Sequence, residues 1–259
     1  MDFEGALVDL DGTVYRGEKM VAGAAAAVDR LRNAGLRTVF FSNNPTNSRA
    51  AYADRLAALG IDVAPEAVLS AGTVTARELA AEHPDDAVFL IGEAGLRRQL
   101  EAADVDLVDD ATAADVLLAS YDRAFDYGDM LAGYRALSAG AAFYGTDPDR
   151  LIPAAEGMVP GSGAVLNAVG GILDRRPDRV FGKPSPPARR AALAALDAPA
   201  ERCLVVGDRL ETDVALGERA GMTTILVRTG VATDADVRDS DVEPDHVIDS
   251  LADLPAHIE

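Results

Sequence analysis

The sequence predicts an α/β protein, a doubly wound parallel sheet with a second α/β domain inserted into it. Three observations carry this reading. Short apolar runs alternate with amphipathic helical stretches along most of the chain. Those runs are apolar throughout rather than at every second residue, as expected of strands covered on both faces. The middle of the chain, from Pro84 to about Arg179, holds too many strand and helix candidates for one crossover connection.

In chain order, "FEGALVDLD" reads as a strand and "AGAAAAVDRLRNAG" as a helix that stops at Gly35. "RTVFFSNN" is the next strand, and "NSRAAYADRLAALG" is a helix stopped by Gly60. "AVLSAG" and "TVTARELAAEHP" repeat the unit. The middle supplies "AVFLIG", "GLRRQLEAA", "AADVLLASYD", "YGDMLAGYRALSAG", "AAFYGTDPD" and "SGAVLNAVGGIL". "PARRAALAALDAP", "CLVVGD", "TDVALGERAG" and "TTILVRTG" then resume the first pattern. The expected division is 1–80 with 180–259 as the core and 81–179 as the insert. One continuous doubly wound sheet is the alternative that these patterns leave open.

Composition narrows the class. Of 259 residues, 49% are hydrophobic, enough for one large core or two modest ones. No apolar run reaches membrane-spanning length. The start, "MDFEGALV", carries acids where a secretory leader carries bases, so a cytoplasmic location is the expectation. Cys203 is the single cysteine, which excludes an internal disulfide and reads as a small buried hydrophobe. Acids number 43 against 24 bases, a net charge of −19, and only Lys19 and Lys183 are lysines. That surface repels nucleic acid and anionic membranes, so neither is an expected partner. The acids are spread along the chain and form no tail. Their excess fits adaptation to high salt, where screening tolerates such charge, and origin in a halophile is the expectation. The unfolding midpoint is then expected to rise from low to molar KCl, and a midpoint that does not rise overturns that reading.

Four motifs carry candidate chemistry. In "ALVDLDGTV", an apolar strand ends in Asp9 and Asp11, which point to one side of an extended chain. Ligands of open α/β sheets bind beyond the carboxyl ends of the strands. Two carboxylates there repel unless a hard cation such as Mg²⁺ sits between them. Gly12 permits an unusual turn and Thr13 a local hydrogen bond, although, taken alone, an ordinary Asp-Gly turn with solvated acids is the better explanation of the pair, because such turns are common. "FFSNN" ends a second apolar run in Ser42, Asn43 and Asn44, whose hydroxyl and free N–H groups suit an oxyanion; a polar loop before a capped helix is the alternative. In "FGKPSPPARRAALAAL", Lys183 precedes a proline-opened helix, and its ammonium suits a phosphoryl group as a point charge. "LVVGDRLETDV" ends a third apolar strand at Gly207-Asp208, where Asp208 can complete a metal site with Asp9 and Asp11. Asp213, in the next turn, either caps a helix or helps to hold the cation through another group.

No one motif is specific, but the ordered set is. "DLDGTV", "SNN", "GKPS" and "GDRLETD" occur in the order and rough spacing of the haloacid dehalogenase-like (HAD) hydrolases, which the chain resembles over nearly its whole length. "VYRGEKMVAGA", "FFSNNPTNSRAAYADRLAALGI", "GTDPD", "PGSGAVLNAV" and "GKPSP" are similar to the branch of NagD, the 4-nitrophenyl phosphatases and the phosphoglycolate phosphatases. The chain departs from that branch at Ser42, where many relatives have threonine, and at "GTDPD", where asparagine often precedes the proline.

The resemblance implies a HAD-type, Rossmann-like core with an inserted α/β cap. It implies Mg²⁺-dependent hydrolysis of a small phosphorylated metabolite through an aspartyl phosphate. Asp9 would be the nucleophile and Asp11 the general acid and then base. Ser42, the Asn43 backbone N–H and Lys183 would hold the phosphoryl group. Asp9, the Asp11 carbonyl and Asp208 would hold Mg²⁺, with Asp213 in support. Gly12 and "TVYRG" would form a short flap. Asp147, with Asp149 and Tyr144 nearby, would be the cap's substrate contact, with an ordinary acidic turn as the alternative. A homodimer through the cap is the expected assembly. The rivals are a phospho-receiver, which uses similar strand-end residues at about half this length, and a non-catalytic sugar-phosphate or nucleotide binder.

Overall fold

The computed structural model describes residues 3–154 and 157–257. They form two compact units. The first comprises the chain up to Ser42, Arg49–Leu69 and the chain from Lys183 onward; the second comprises Asn43–Ser48 and Ser70–Gly182.

The first unit is built on a six-stranded sheet. Its strands are β1 (Gly5–Val8), β4 (Arg37–Ser42), β5 (Val68–Ser70), β12 (Cys203–Gly207), β13 (Thr223–Val227) and β14 (His246–Ile248). A small hairpin, β2 (Tyr15–Arg16) with β3 (Lys19–Met20), follows β1 where the flap is expected. The sheet order is β14-β13-β12-β1-β4-β5, and β1 pairs in parallel with β4 on one side and β12 on the other. The chain leaves β1 first toward β4 and returns on its opposite side, so the order reverses at β1. That reversal opens a crevice beyond the strand's carboxyl end. All of β1 and β12 is buried, as is β4 after Arg37, which accounts for their unbroken apolar runs.

Helices cover the sheet as their periodicity requires. Ala24–Asn33 buries Ala27, Val28 and Leu31, and the chain turns out of it at Gly35, with φ +86°. Arg49–Ala58 buries Tyr52, Ala53 and Leu56. Pro186–Leu196 opens on Pro186 with Ser185 as its cap, whose side chain accepts from Ala188 N at 3.2 Å. The helix expected from Thr212 starts only at Ala215. Before it, Leu210–Val214 forms a wide π-helical turn, in which Val214 N donates to Arg209 O five residues back. Cys203 is fully buried in β12, as expected.

The second unit has its own sheet: β6 (Val88–Ile91), β7 (Val116–Ala119), β8 (Ala142–Gly145) and β11 (Arg179–Val180), in the parallel order β11-β8-β7-β6. Two separate parallel sheets exclude the single continuous one. An antiparallel hairpin, β9 (Leu151–Ala154) with β10 (Gly157–Pro160), adds to this unit. Its core gathers Ile91, Leu117, Phe143, Val165 and Val169.

This unit starts at Ser70, about ten residues before the expected boundary, and it takes in Asn43–Ser48. Packing explains both. Helix Ala71–Glu82 lies so close to this segment that a Cβ on Gly72 would meet Pro45 O at 2.3 Å. One on Gly95 would meet Thr46 O at 2.0 Å, and Gln99 Nε2 donates to Pro45 O at 2.8 Å. Among the described residues, no helix is long and apolar enough to cross a membrane.

Candidate active site

The register of β1 brings three sequence motifs together. Val8 pairs with Val206 and with Phe40, so Asp9 and Asp208 follow, and Ser42 closes, neighbouring strands. Asp9 N still donates to Val206 O at 2.9 Å, one residue beyond the strand. Its carboxylate accepts from Thr13 Oγ1 at 3.2 Å, the local bond expected of that threonine.

Lys183 is 2% exposed, a rare position for lysine unless it is paired. Its Nζ donates to Asp9 Oδ1 at 2.6 Å, to Asp213 Oδ1 at 2.6 Å and to Phe41 O at 2.7 Å. Three protons thus meet three acceptors. Burial alone would push the ammonium's pKa down, but Asp213 and then Asp9 reverse this, and the net shift is upward. Lys183 is therefore a fixed positive charge. Asp213 is no ordinary helix acid: the wide turn carries it inward, and Arg209 N donates to its second oxygen at 3.2 Å.

Asp208 is fixed from another side. Val231 N donates to its Oδ2 at 2.7 Å, and Ala232 N donates to its backbone oxygen at 3.1 Å. Two glycines make room for it. At Gly12, φ is +97° and a Cβ would lie 2.3 Å from Asp208 Oδ2; at Gly230 the same distance would be 1.8 Å. Thr229 Oγ1 closes this corner by donating to Gly12 O at 2.6 Å.

Asp9, Asp208 and Asp213 form a buried group whose ligand oxygens lie within 4.8 Å of one another. Three carboxylates face a single ammonium there, so the cluster lacks positive charge. Burial raises the Asp9 pKa well above its usual range, and Asp213 and Asp208 add to the rise against the pull of Lys183. Burial and then Asp213 push Asp208 up to about 7. An all-oxygen, anionic donor set under this repulsion fits a hard divalent cation such as Mg²⁺.

The Asp11 carboxylate stands apart from that group. It accepts from Ser42 Oγ at 3.3 Å, and Tyr52 OH donates in turn to Ser42 Oγ at 3.3 Å. Burial raises the Asp11 pKa, with Arg55 and then Ser42 opposing it. The two carboxyl groups of "DLD" therefore have different surroundings, one beside an ammonium and one beside a hydroxyl.

Two expected site residues lie in the second unit: Asn43, expected in the core, and Asp147, expected in the insert. Asn43 Nδ2 donates to Asp149 Oδ2 at 3.4 Å. Asp147 is buried and accepts from Ser162 Oγ at 2.5 Å, Thr146 Oγ1 at 2.9 Å and Asp149 N at 3.2 Å. Burial and then Asp149 lift its pKa to about 7. Sequence reasoning passed over Tyr52 and the loop Thr229–Val231. That loop ends the apolar run "TTILVRTG", and this fourth strand end was the signal for it.

Comparison with known proteins agrees with this geometry. Residues 6–106 match the family described as haloacid dehalogenase-like hydrolase, and residues 180–254 match a HAD-hydrolase-like family. The sugar-phosphatase AraL of Bacillus subtilis is 33% identical over 96% of this chain and 91% of its own. The solved p-nitrophenyl phosphatase from Archaeoglobus fulgidus superposes with a TM-score of 0.91 at 34% identity, over 99% of this chain and all of that one. NagD from E. coli K-12 gives 0.86 at 29% identity, over 97% and 98% of the two chains. Strand order, strand-end residues and similarity along the full chain converge: the chain belongs to the haloacid dehalogenase-like hydrolases and is a hydrolase with the α/β fold of that family.

Proposed function

We propose that this hydrolase is a Mg²⁺-dependent phosphatase that cleaves a small organic phosphate monoester through an aspartyl phosphate on Asp9. The observation that carries the reading is the buried Lys183 ammonium bridging Asp9 and Asp213. It fixes a positive charge at the one carboxylate that must approach an anionic phosphoryl group. Phosphatase names among the similar proteins, a sugar-phosphatase and a p-nitrophenyl phosphatase, support it.

In the first step an Asp9 carboxylate oxygen bonds to phosphorus and the bond to the alkoxide oxygen breaks. Asp11, whose raised pKa favours the protonated acid, gives its proton to the leaving oxygen. In the second step Asp11 takes a proton from water, the water oxygen bonds to phosphorus, and Asp9 leaves as carboxylate with inorganic phosphate as product. Lys183 offsets the charge that Asp9 and the phosphoryl group share. Ser42 Oγ and the Asn43 backbone N–H bind phosphoryl oxygens. Mg²⁺, held by Asp9, Asp208 and the Asp11 carbonyl with support from Asp213, would supply charge neutralisation and polarise the phosphoryl group. The second unit acts as the cap that selects the organic part of the substrate, with Asp147 as its candidate contact.

Steady release of p-nitrophenol from p-nitrophenyl phosphate is expected, lost on chelation by EDTA and restored by Mg²⁺. The Mg²⁺ concentration for half-activity is expected to rise as pH falls below about 7, because Asp208 then holds a proton that the cation must displace. A single round of phosphorylation without turnover overturns the phosphatase reading in favour of a phospho-receiver.

A further inference from the structure

We infer that Tyr52 is a positioning residue for phosphoryl transfer, acting through Ser42; the inference rests on the function proposed above. A serine hydroxyl has one hydrogen to give and two lone pairs to receive with. A phosphoryl oxygen is anionic, so Ser42 assists it only with that hydrogen turned outward from the strand end. Tyr52 OH donates to Ser42 Oγ, and Ser42 Oγ donates to Asp11 Oδ2. Donation from Tyr52 occupies a lone pair on the helix side of Ser42. The serine hydrogen is thereby directed to the side where Asp11 lies, the side a transferring group must enter. Without the phenol, that directing bond is lost.

The packing of Tyr52 suits this role. Its side chain is 1% exposed and lies in the core with Phe40 and Leu56, which fixes its ring. Ring packing alone would be met by phenylalanine, whereas a buried phenol hydroxyl is costly to desolvate unless it bonds. The same helix also grips the hairpin after Asp11. Arg55 donates to Gly17 O, and its guanidinium lies 3.8 Å from the centre of the Tyr15 ring. One helix, Arg49–Ala58, therefore supports the hydroxyl behind Ser42 and the hairpin that follows Asp11.

The test is a double-mutant cycle with p-nitrophenyl phosphate as substrate and inorganic phosphate as inhibitor. Tyr52→Phe keeps the ring and is expected to lower kcat/KM about three- to tenfold, the range of one modest hydrogen bond. It is also expected to raise the inhibition constant of inorganic phosphate several-fold. In a Ser42→Ala background the same change is expected to have no further effect; in a Ser42→Thr background, which keeps a hydroxyl, the effect is expected in full. Urea midpoints of all the variants report packing separately. The inference is overturned if Tyr52→Phe leaves kcat/KM unchanged or costs as much without the Ser42 hydroxyl as with it. It is overturned likewise if the variant shifts only the urea midpoint. Asp9→Asn, run alongside, separates the two levels: turnover that survives it defeats the proposed function. An inactive Asp9→Asn with a Tyr52 effect indifferent to Ser42 defeats this inference alone.

Discussion

Asp9→Asn is expected to reduce phosphate release by roughly four to six orders of magnitude, the scale on which loss of a covalent nucleophile acts. An amide nitrogen or oxygen cannot form the phosphoryl bond that the carboxylate forms. The fold is expected to survive, because asparagine has nearly the same shape and the site keeps one ion pair. Lys183 retains Asp213 and the Phe41 carbonyl as acceptors, and Thr13 can still donate to the asparagine oxygen. Removing one of three crowded carboxylates also relieves the repulsion that Asp213 and Asp208 exert on Asp9. The thermal midpoint is thus expected to stay within a few degrees of the parent chain. Turnover assays on protein purified apart from any active phosphatase, with parallel circular-dichroism melts, check both halves. Activity within a hundredfold of the parent chain removes Asp9 from the nucleophile's role.

The second large effect is on stability. Lys183→Met is expected to destabilise the protein by about 3–5 kcal/mol at neutral pH, the usual cost of stripping one partner from a buried ion pair. Methionine fills much of the space but leaves Asp9 and Asp213, both almost fully buried, without their shared counter-charge. The deficit should depend on pH in a defined direction. Lys183 pulls the Asp9 pKa down against burial, so removing it raises the folded-state pKa further above the unfolded value near 4. Between those two values the folded state holds more protons than the unfolded one, and stability falls as pH rises. The penalty is therefore larger at pH 8 than at pH 5. Urea midpoints of both proteins at the two pH values test this, and a penalty equal at both would show that charge is not its cause. Phosphatase activity is expected to be lost as well, since no other described lysine or arginine bonds to Asp9.

Much of this was legible in the sequence because parallel strands buried on both faces leave unbroken apolar runs, and the runs end where the site begins. Asp9, Ser42 and Asp208 were singled out in that way. Lys183 stood out because the chain has only one other lysine. The rest was hidden for physical reasons. Asp213 read equally well as a capping acid, since nothing in "RLETDV" announces a π-helical turn that rotates its side chain inward. Tyr52 sits at an ordinary core position of an amphipathic helix, and periodicity cannot say what its hydroxyl meets. The β9–β10 hairpin carries no strict alternation and escaped notice. The early start of the second unit depends on the backbone of Pro45 and Thr46 packing on two glycines, a long-range contact with no local signature.

The position of β1 at the centre of its sheet has a consequence for synthesis. Its partner β12 begins at Cys203, after the entire second unit has been made. At the usual pace of a ribosome, the nascent chain waits roughly ten to forty seconds for that strand. Until then one flank of β1 exposes unpaired backbone and apolar side chains, a template for pairing between neighbouring nascent chains. The second unit, whose four parallel strands are all contiguous within Ser70–Gly182, has its own sheet complete earlier. Assembly is thus ordered from the inserted unit to the split one. The enzyme becomes chemically competent only when its last third emerges, which keeps a half-made chain from handling phosphate.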